Sequence, residues 1–228
     1  MSLALLLALP FIGSAVAALL PANARNTAAT WAAAVSFICA AGLASMFPAV
    51  REGGVVREAW RWLPSASLDV VIRVDGFAWM FGMLVTGIGT LVAVYARYYL
   101  SPTDPVPRFF SFFLAFLGAM LGVVLSGSLI QIAFFWELTS LFSFLLIGYW
   151  HHRADARRGA RMALVVTGAG GLCLLAGVLV LGGIVGSFDL DVVLAAGERV
   201  RAHELYPVAL ALVLLGALTK SAQFPFHF

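Results

Sequence analysis

Long runs of apolar residues fill most of the chain, and short polar stretches separate one run from the next. At about 1.5 Å per helical residue, a run of about 20 residues crosses the hydrocarbon core of a bilayer, which is about 30 Å thick. We expect about seven membrane-spanning helices, at Ser2–Leu20, Thr27–Phe47, Phe77–Leu100, Arg108–Leu125, Leu129–Trp150, Met162–Val185 and Pro207–Ala222. The pattern therefore predicts an all-α integral membrane protein.

The last apolar run differs from the others because it is short and is followed by a proline. Pro207–Ala222 gives only about 24 Å of helix, and Pro225 opposes a regular continuation. We therefore expect the last helix to be broken near Pro225, and we expect the natural polypeptide to continue beyond Phe228. Transport proteins commonly build a site from such a broken helix beside a charge.

Polar stretches between the runs predict local structure and topology. Within the 51–75 loop, Ser67–Val74 alternates between apolar and polar residues and predicts a short hairpin strand, and Asp75 is placed to cap the next helix. The segment 151–161 carries four arginines, so the positive-inside rule predicts a cytoplasmic loop there. Counting spans back then places the amino terminus and the 51–75 and 187–205 loops outside.

Composition excludes several classes of protein. The chain is 62% hydrophobic and 11% charged, with a mean hydropathy of +1.00, whereas soluble domains contain about 25% charged residues. The basic balance comes from arginines at the ends of apolar runs, which anchor helices in a membrane, so we expect no nucleic-acid partner. Cys39 and Cys173 lie in separate apolar runs without ligand spacing, and we expect neither a metal site nor a cofactor.

Small residues interrupt the sixth apolar run at Gly168–Gly171. A glycine-rich turn that binds a nucleotide would follow a strand, and none is predicted before this run. We therefore interpret these residues as a surface for close helix packing.

Two charges lie inside apolar runs, and these are the candidate site residues. Glu137 is about 12 Å into the run Leu129–Trp150, and burying its charge there costs roughly 2.5–3.5 kcal/mol unless it finds a partner or stays protonated. Lys220 is the only lysine in the chain and lies in the last run. Every other Asp, Glu or Arg can be placed in a loop or at an interface.

The sequence leaves two interpretations of this pair open. A static buried ion pair would fix the register of two helices without having to add stability. A proton relay would use the same groups differently, because moving the acid toward or away from the amine changes whether the lysine holds its proton.

Several longer motifs resemble one family of membrane proteins. They are Arg73–Phe77, Tyr99–Ser101, Asp104–Pro105, Gly118–Ser126, Phe134–Ser140, Ser143–Arg153 and Thr219–Phe228. They resemble the large A subunit of Mrp-type multisubunit Na⁺(K⁺)/H⁺ antiporters, which is related to the antiporter-like chain 5 type subunits of respiratory complex I. Trp136–Ser140 is more similar to the Mrp A subunit than to its complex I relatives.

The resemblance implies a function and a site. Glu137 matches the family's glutamate on the fifth helix and Lys220 its lysine on a broken seventh helix, and in that family the pair belongs to the proton path. Thr139, Ser140 and His227 are polar neighbours that we regard as secondary candidates. The implied protein is a proton-translocating subunit of a monovalent cation/proton antiporter in the bacterial inner membrane, not an enzyme. Its partners would be lipid, the other subunits, H⁺ and Na⁺ or K⁺.

The resemblance also implies a division of the chain. Residues 1–100 would form an amino-terminal three-helix segment, and 101–228 would hold helices four to seven of an antiporter-like inverted repeat. Family members continue from the motif at His227 and Phe228 into further helices. Where the family usually has Asp-Asn after the fourth helix, this chain has Gly127 and Ser128, so no polar role is carried over to that turn.

Two other functions, and the absence of any transport activity, also fit part of the sequence. A proton-pumping subunit of complex I uses the same motifs. A seven-helix retinal protein would use Lys220 as the Schiff base and Glu137 as its counter-ion, although Pro225 follows the lysine too closely for a continuous last helix. A fragment of this length could also have no transport activity alone.

Overall fold

The computed structural model describes residues 1–63, 68–101 and 104–227, which fold into helices and one two-stranded hairpin. The helices are α1 Leu3–Ala18, α2 Arg25–Ala44, α3 Phe47–Arg51, α4 Gly76–Tyr99, α5 Val106–Leu125, α6 Leu129–Ile147, α7 Ala154–Val185, α8 Leu190–Ala195, α9 Gly197–Arg201 and α10 Tyr206–Lys220. The strands are β1 Val56–Leu63 and β2 Leu68–Val74. The protein is therefore mostly helical rather than purely all-α.

The predicted hairpin strand is confirmed by β2, which begins at Leu68; Ser67 lies outside the described residues. The chain forms two units by its internal contacts, Met1–Glu58 with Ile72–Leu125, and Ala59–Val71 with Ser126–Phe228. The predicted division of the chain into a segment 1–100 and an antiporter-like repeat 101–228 rests on the family resemblance and stays a prediction.

In the first unit, α1 packs against α5 and α2 packs against α4. Glycines of α4 allow close packing with two neighbouring helices. A side chain at Gly82 would meet Leu43 of α2, and one at Gly89 would meet Leu117 of α5. Glu58 accepts hydrogen bonds from the amides of Leu3 and Ala4 at 3.0 and 3.3 Å. The carboxylate thereby satisfies two amides that have no partner inside α1.

Asp75 caps the amino-terminal end of α4, as the sequence predicts. Its carboxylate accepts a hydrogen bond from the Ala78 amide at 2.8 Å and one from Arg73 at 2.6 Å. Burial on its own would raise the pKa of Asp75, but the Ala78 amide, the Arg73 guanidinium and the Phe77 amide together hold that pKa below its usual value.

In the second unit, α7 packs against both α6 and α10. The turn before α6 and the segment after α7 meet at one end, where Leu129 donates to the Phe188 carbonyl and Leu190 donates to the Gly127 carbonyl, both at 2.9 Å. Gly127 also donates to Val71 of the hairpin at 2.8 Å. These contacts bring Val71, the turn before α6 and the segment after α7 together, and the outside placement of the 51–75 and 187–205 loops stays a prediction.

Five of the described helices, namely α2, α4, α5, α6 and α7, are long and apolar enough to cross a membrane. The helices α1 and α10 are apolar but shorter, with 16 and 15 residues. The chain is therefore an integral membrane protein by composition and helix length, and the count of seven spans stays a prediction.

One predicted boundary is wrong. Instead of starting at Met162, α7 starts at Ala154 and runs for 32 residues, so most of the segment predicted as a 151–161 loop is helical. Alanine and arginine are good helix formers, and Asp155 in the first turn suits the positive end of the helix. Charge marked the segment as solvated but did not reveal its helical conformation.

Candidate functional site

The site lies in the second unit, where the middle of α6 and the end of α10 face α7. Glu137 and Thr139 belong to α6, and Lys220 is the last residue of α10. The helix ends there because Ala222 adopts a φ of 50°, the left-handed conformation that closes many helices. Pro225 lies five residues beyond this end, so the predicted break at the proline is not part of α10 and stays a prediction.

A hydroxyl and an aromatic ring hold the ammonium of Lys220. Its Nζ donates a hydrogen bond to Thr139 Oγ1 at 2.8 Å and lies 5.8 Å from the centroid of the Trp136 ring. Trp136 and Thr139 are three residues apart and therefore share one face of α6. The cation thus rests against a polar atom and the face of a π-system, an attractive arrangement when it is desolvated.

The carboxyl group of Glu137 is directed toward α7 instead. Its Oε1 is buried and has no hydrogen-bond partner among the described residues. It occupies the space beside Gly171, where an added Cβ would overlap Oε1 and would lie 2.5 Å from Cδ. Within the part of the chain that the structure describes, Glu137 and Lys220 form no ion pair.

The structure therefore places the Lys220 side chain against the same segment of α6 that carries Glu137, but the two predicted site residues are not in direct contact. Lys220 contacts Thr139, which is two residues along α6 from Glu137 and points to a different side of that helix. The lysine side chain is long and flexible, and Thr139 is the group on α6 to which it donates a hydrogen bond.

Of the secondary candidates, Thr139 contacts Lys220 directly. Ser140 is only 2% exposed, and its Oγ donates to the backbone carbonyl of Trp136 at 3.4 Å. His227 is exposed, and its ring lies 5.6 Å from that of Phe224. The roles of Glu137, Lys220 and these three residues stay predictions.

Sequence reasoning missed the part that Trp136 plays beside Lys220. The i, i+3 spacing of Trp136 and Thr139 could have indicated it, because these two side chains must lie on one helix face. The small residues Gly168–Gly171 are predicted to pack closely, and this is confirmed at Gly170 and Gly171 but wrong at Gly168, where an added Cβ would meet nothing within 4 Å. A Cβ on Gly170 would overlap Thr219, and one on Gly216 would lie 2.9 Å from the Gly170 carbonyl.

Cys39 and Cys173 are free thiols. Among residues 1–63, 68–101 and 104–227, no three His, Cys, Asp or Glu side chains are grouped as metal ligands would be.

Fold and site together define an integral membrane protein in which the carboxyl group of Glu137 lies on a long apolar helix and the amine of Lys220 lies at the end of a shorter one. Residues 126–228 match the family described as NADH:quinone oxidoreductase/Mrp antiporter, and residues 62–110 match the amino-terminal family of chain 5 of NADH-ubiquinone oxidoreductase, complex I. The chain belongs to this family of antiporter-like membrane subunits, and the resemblance to the large Mrp antiporter subunits is confirmed.

Individual relatives agree with this assignment. A probable K⁺/H⁺ antiporter A/B subunit of Rhizobium meliloti is 56% identical over 99% of this chain, which covers 23% of that relative. The A-type Na⁺/H⁺ antiporter subunit of Alkalihalophilus pseudofirmus is 47% identical over 77% of this chain and 22% of its own length. The chain thus spans about a quarter of the length of the curated relatives it matches.

Solved structures show the same fold. A chain of the Mrp complex from a Dietzia species matches all of this chain with a TM-score of 0.87 and 29% identity, and 24% of that chain is covered. An archaeal membrane-bound sulfane sulfur reductase matches 98% of this chain with a TM-score of 0.75 and 18% identity, and this chain covers 45% of it. At that identity the second likeness concerns the fold alone.

Proposed function

We propose that this chain is part of a proton-translocating membrane subunit of a multisubunit monovalent cation/proton antiporter, in which protons pass through Glu137 and Lys220. The observation that supports the proposal is the contact of the Lys220 ammonium with Thr139, two residues from Glu137, whose buried Oε1 has no hydrogen-bond partner among the residues that the structure describes. The names of the relatives, K⁺/H⁺ and Na⁺/H⁺ antiporter subunits, support the class of transport.

The proposed step is a proton exchange between an acid and an amine. When Glu137 carries a proton it is neutral, and its buried oxygen avoids the cost of an unpaired charge. When Glu137 gives that proton to an unprotonated Lys220, a carboxylate and an ammonium form and attract each other. The net charge of the pair stays zero, so the transfer moves a proton between α6 and α10 without adding charge to the membrane interior.

Thr139 supports this step by giving the ammonium a second resting place. Lys220 has four rotatable bonds in its side chain and a compact charge. The Thr139 hydroxyl donates its own proton to the Trp136 carbonyl, and its oxygen can accept a hydrogen bond from Lys220 as an ammonium or as a neutral amine. The lysine can therefore leave the carboxyl group without losing all its hydrogen bonds. A static ion pair would instead keep the two charges in contact.

The proposal includes a topology. The helices α1 and α10 would complete seven spans, with a break near Pro225, the amino terminus outside and the 151–161 segment in the cytoplasm of a bacterial cell with this protein in its inner membrane. Residues 101–228 would form the first part of an inverted repeat. Lipid and the other subunits would cover its outer faces, and Na⁺ or K⁺ would be the exchanged cation.

The test is antiport by the full-length protein together with its partner subunits in everted membrane vesicles. A pH-sensitive dye reports the collapse of a proton gradient when Na⁺ or K⁺ is added. Glu137→Gln and Lys220→Ala should each lower the rate by about 100-fold or more, the scale of losing a positioned proton-transfer group. Glu198→Gln is the matched control because Glu198 is exposed in α9, outside the long apolar helices. Unimpaired exchange in either site variant, at equal protein levels, would contradict the proposal.

A proton-pumping subunit of complex I is the second candidate, favoured by the two family descriptions that name that complex. The same vesicles separate the two candidates. An antiporter responds to added cation without NADH, whereas a complex I subunit moves protons only when NADH is oxidised.

A further inference from the structure

We infer that Gly171 is a positioning residue for Glu137, and that the absence of a side chain at position 171 fixes where the carboxyl group of Glu137 rests. The inference rests on the proposed proton relay and adds to it a residue on a third helix.

The carboxyl group of Glu137 fills the space beside Gly171. Its Oε1 atom occupies the volume that a Cβ of residue 171 would fill, and Cδ would lie only 2.5 Å from such a Cβ. Non-bonded carbon atoms pack at about 3.5–4.0 Å. Any residue other than glycine at position 171 must therefore displace the carboxyl group.

No hydrogen bond from the residues that the structure describes holds the buried Oε1 atom of Glu137 in place. Its position is thus set by the packing of α6 on α7, and a change in that packing at Gly171 moves the acid directly.

The neighbouring glycine links the same part of α7 to the lysine. A Cβ on Gly170 would lie 2.7 Å from both the Cβ and Cγ2 atoms of Thr219, the residue before Lys220. Adjacent helical residues point about 100° apart, so Gly170 receives α10 while Gly171 receives α6. The two glycines give α7 a common surface against which both the acid and the amine are placed.

The experiment compares four variants of the full-length protein in the vesicle assay: Gly171→Ala, Glu137→Asp, both together, and Gly168→Ala. Gly168 is the matched control because it lies on the same helix and a Cβ there has nothing within 4 Å. Both alanines raise helix propensity by the same amount, so a difference between them reports the contact with Glu137.

We expect Gly168→Ala to exchange protons at the wild-type rate and Gly171→Ala to be slower by about tenfold or more, because a displacement of about 1 Å can cost 100-fold in a positioned reaction. Aspartate withdraws the carboxyl group by one carbon–carbon bond, about 1.5 Å. The double variant should therefore be faster than Gly171→Ala alone. Wild-type rates in Gly171→Ala, or no recovery in the double variant, would overturn the inference.

Loss of folding is separated from loss of positioning by one further pair. If Gly171→Ala fails to accumulate in the membrane, adding Glu137→Ala removes the overlapping side chain and should restore the level found for Glu137→Ala alone. A level that stays low would overturn the inference, because the clash would then lie elsewhere. Failure of the proposed function looks different: Glu137→Gln would still exchange protons, whatever Gly171→Ala does.

Discussion

At the scale of single residues, the hydroxyl of Thr139 is the group that the ammonium of Lys220 contacts. Thr139 is 4% exposed, and its Oγ1 both accepts the hydrogen bond of Lys220 and donates one to the Trp136 carbonyl at 2.7 Å. A hydrogen bond to a charged group contributes about 1.5–3 kcal/mol, enough to decide where a mobile lysine side chain spends its time.

Replacing Thr139 by valine tests this contact with little change of volume. We expect Thr139→Val to slow cation-driven proton exchange by about tenfold, the rate equivalent of about 1.4 kcal/mol, because the lysine loses its resting place. Thr90→Val is the control, since the Thr90 hydroxyl of α4 bonds only to the backbone carbonyl of Thr86 among the described contacts. Equal rates for the two variants would exclude a role of the Thr139 hydroxyl.

Sequence could indicate the identity of the site residues but not their contacts. Glu137 and Lys220 stand out because a charge inside an apolar run needs an explanation. Which side chain each one meets depends on how α6 and α10 are rotated against α7, and rotation is set by packing at Gly170, Gly171 and Gly216 rather than by composition.

At the scale of secondary structure, α7 is the helix on which the second unit depends, because both α6 and α10 pack against it. Gly216 of α10 lies so close to it that a Cβ would be 2.8 Å from the Cβ of Leu174. Close backbone approach between small residues is a usual source of association for helices in lipid.

Gly216→Ala should therefore destabilise the second unit by about 1–3 kcal/mol, the usual cost of overpacking. The measurement is the thermal unfolding temperature of the detergent-solubilised protein. Gly183→Ala serves as control, because Gly183 is on α7 and a Cβ there meets nothing within 4 Å. Equal unfolding temperatures for the two variants would contradict the close contact, because α7 and α10 would then accommodate the added methyl group at no cost in stability.

The start of α4 allows a prediction on pH. The pKa of Asp75 is lower in the folded protein than its ordinary value, so its stabilising effect is fully present above the unfolded pKa of about 3.9 and is lost as the pH falls through the folded pKa. Asp75→Ala removes the cap of α4 and should cost about 1 kcal/mol at neutral pH.

The unfolding temperatures of wild type and Asp75→Ala, measured in detergent, should therefore differ at neutral pH and approach each other as the pH is lowered toward 3. A difference that stays constant with pH would show that the carboxylate form of Asp75 is not what stabilises the helix.

At the scale of the whole chain, the sequence predicts the long helices well, because uninterrupted apolar runs leave few alternatives in a membrane. The hairpin strand was also predicted, since the alternation before Asp75 has the period of a strand. The start of α7 was not, because the arginines between residues 153 and 161 look the same in a solvated loop and in a solvated helix. The turn that ends α10 depends on the backbone conformation of Ala222, an alanine that gives no warning of it.

In the proposed function, Glu137 and Lys220 pass a proton between them rather than hold two helices together. The two possibilities differ when both charges are removed at once. A static pair is no longer needed when Glu137→Gln and Lys220→Met are combined, since neither helix then buries an unpaired charge, whereas a relay without titratable groups cannot work.

The deciding measurement is cation-induced proton exchange in vesicles that contain the full-length protein with both substitutions, at wild-type levels of the complex. The proton relay predicts that exchange stays as low in the double variant as in Glu137→Gln alone. Recovery of the double variant to near the wild-type rate would contradict the relay and identify the pair as a structural one.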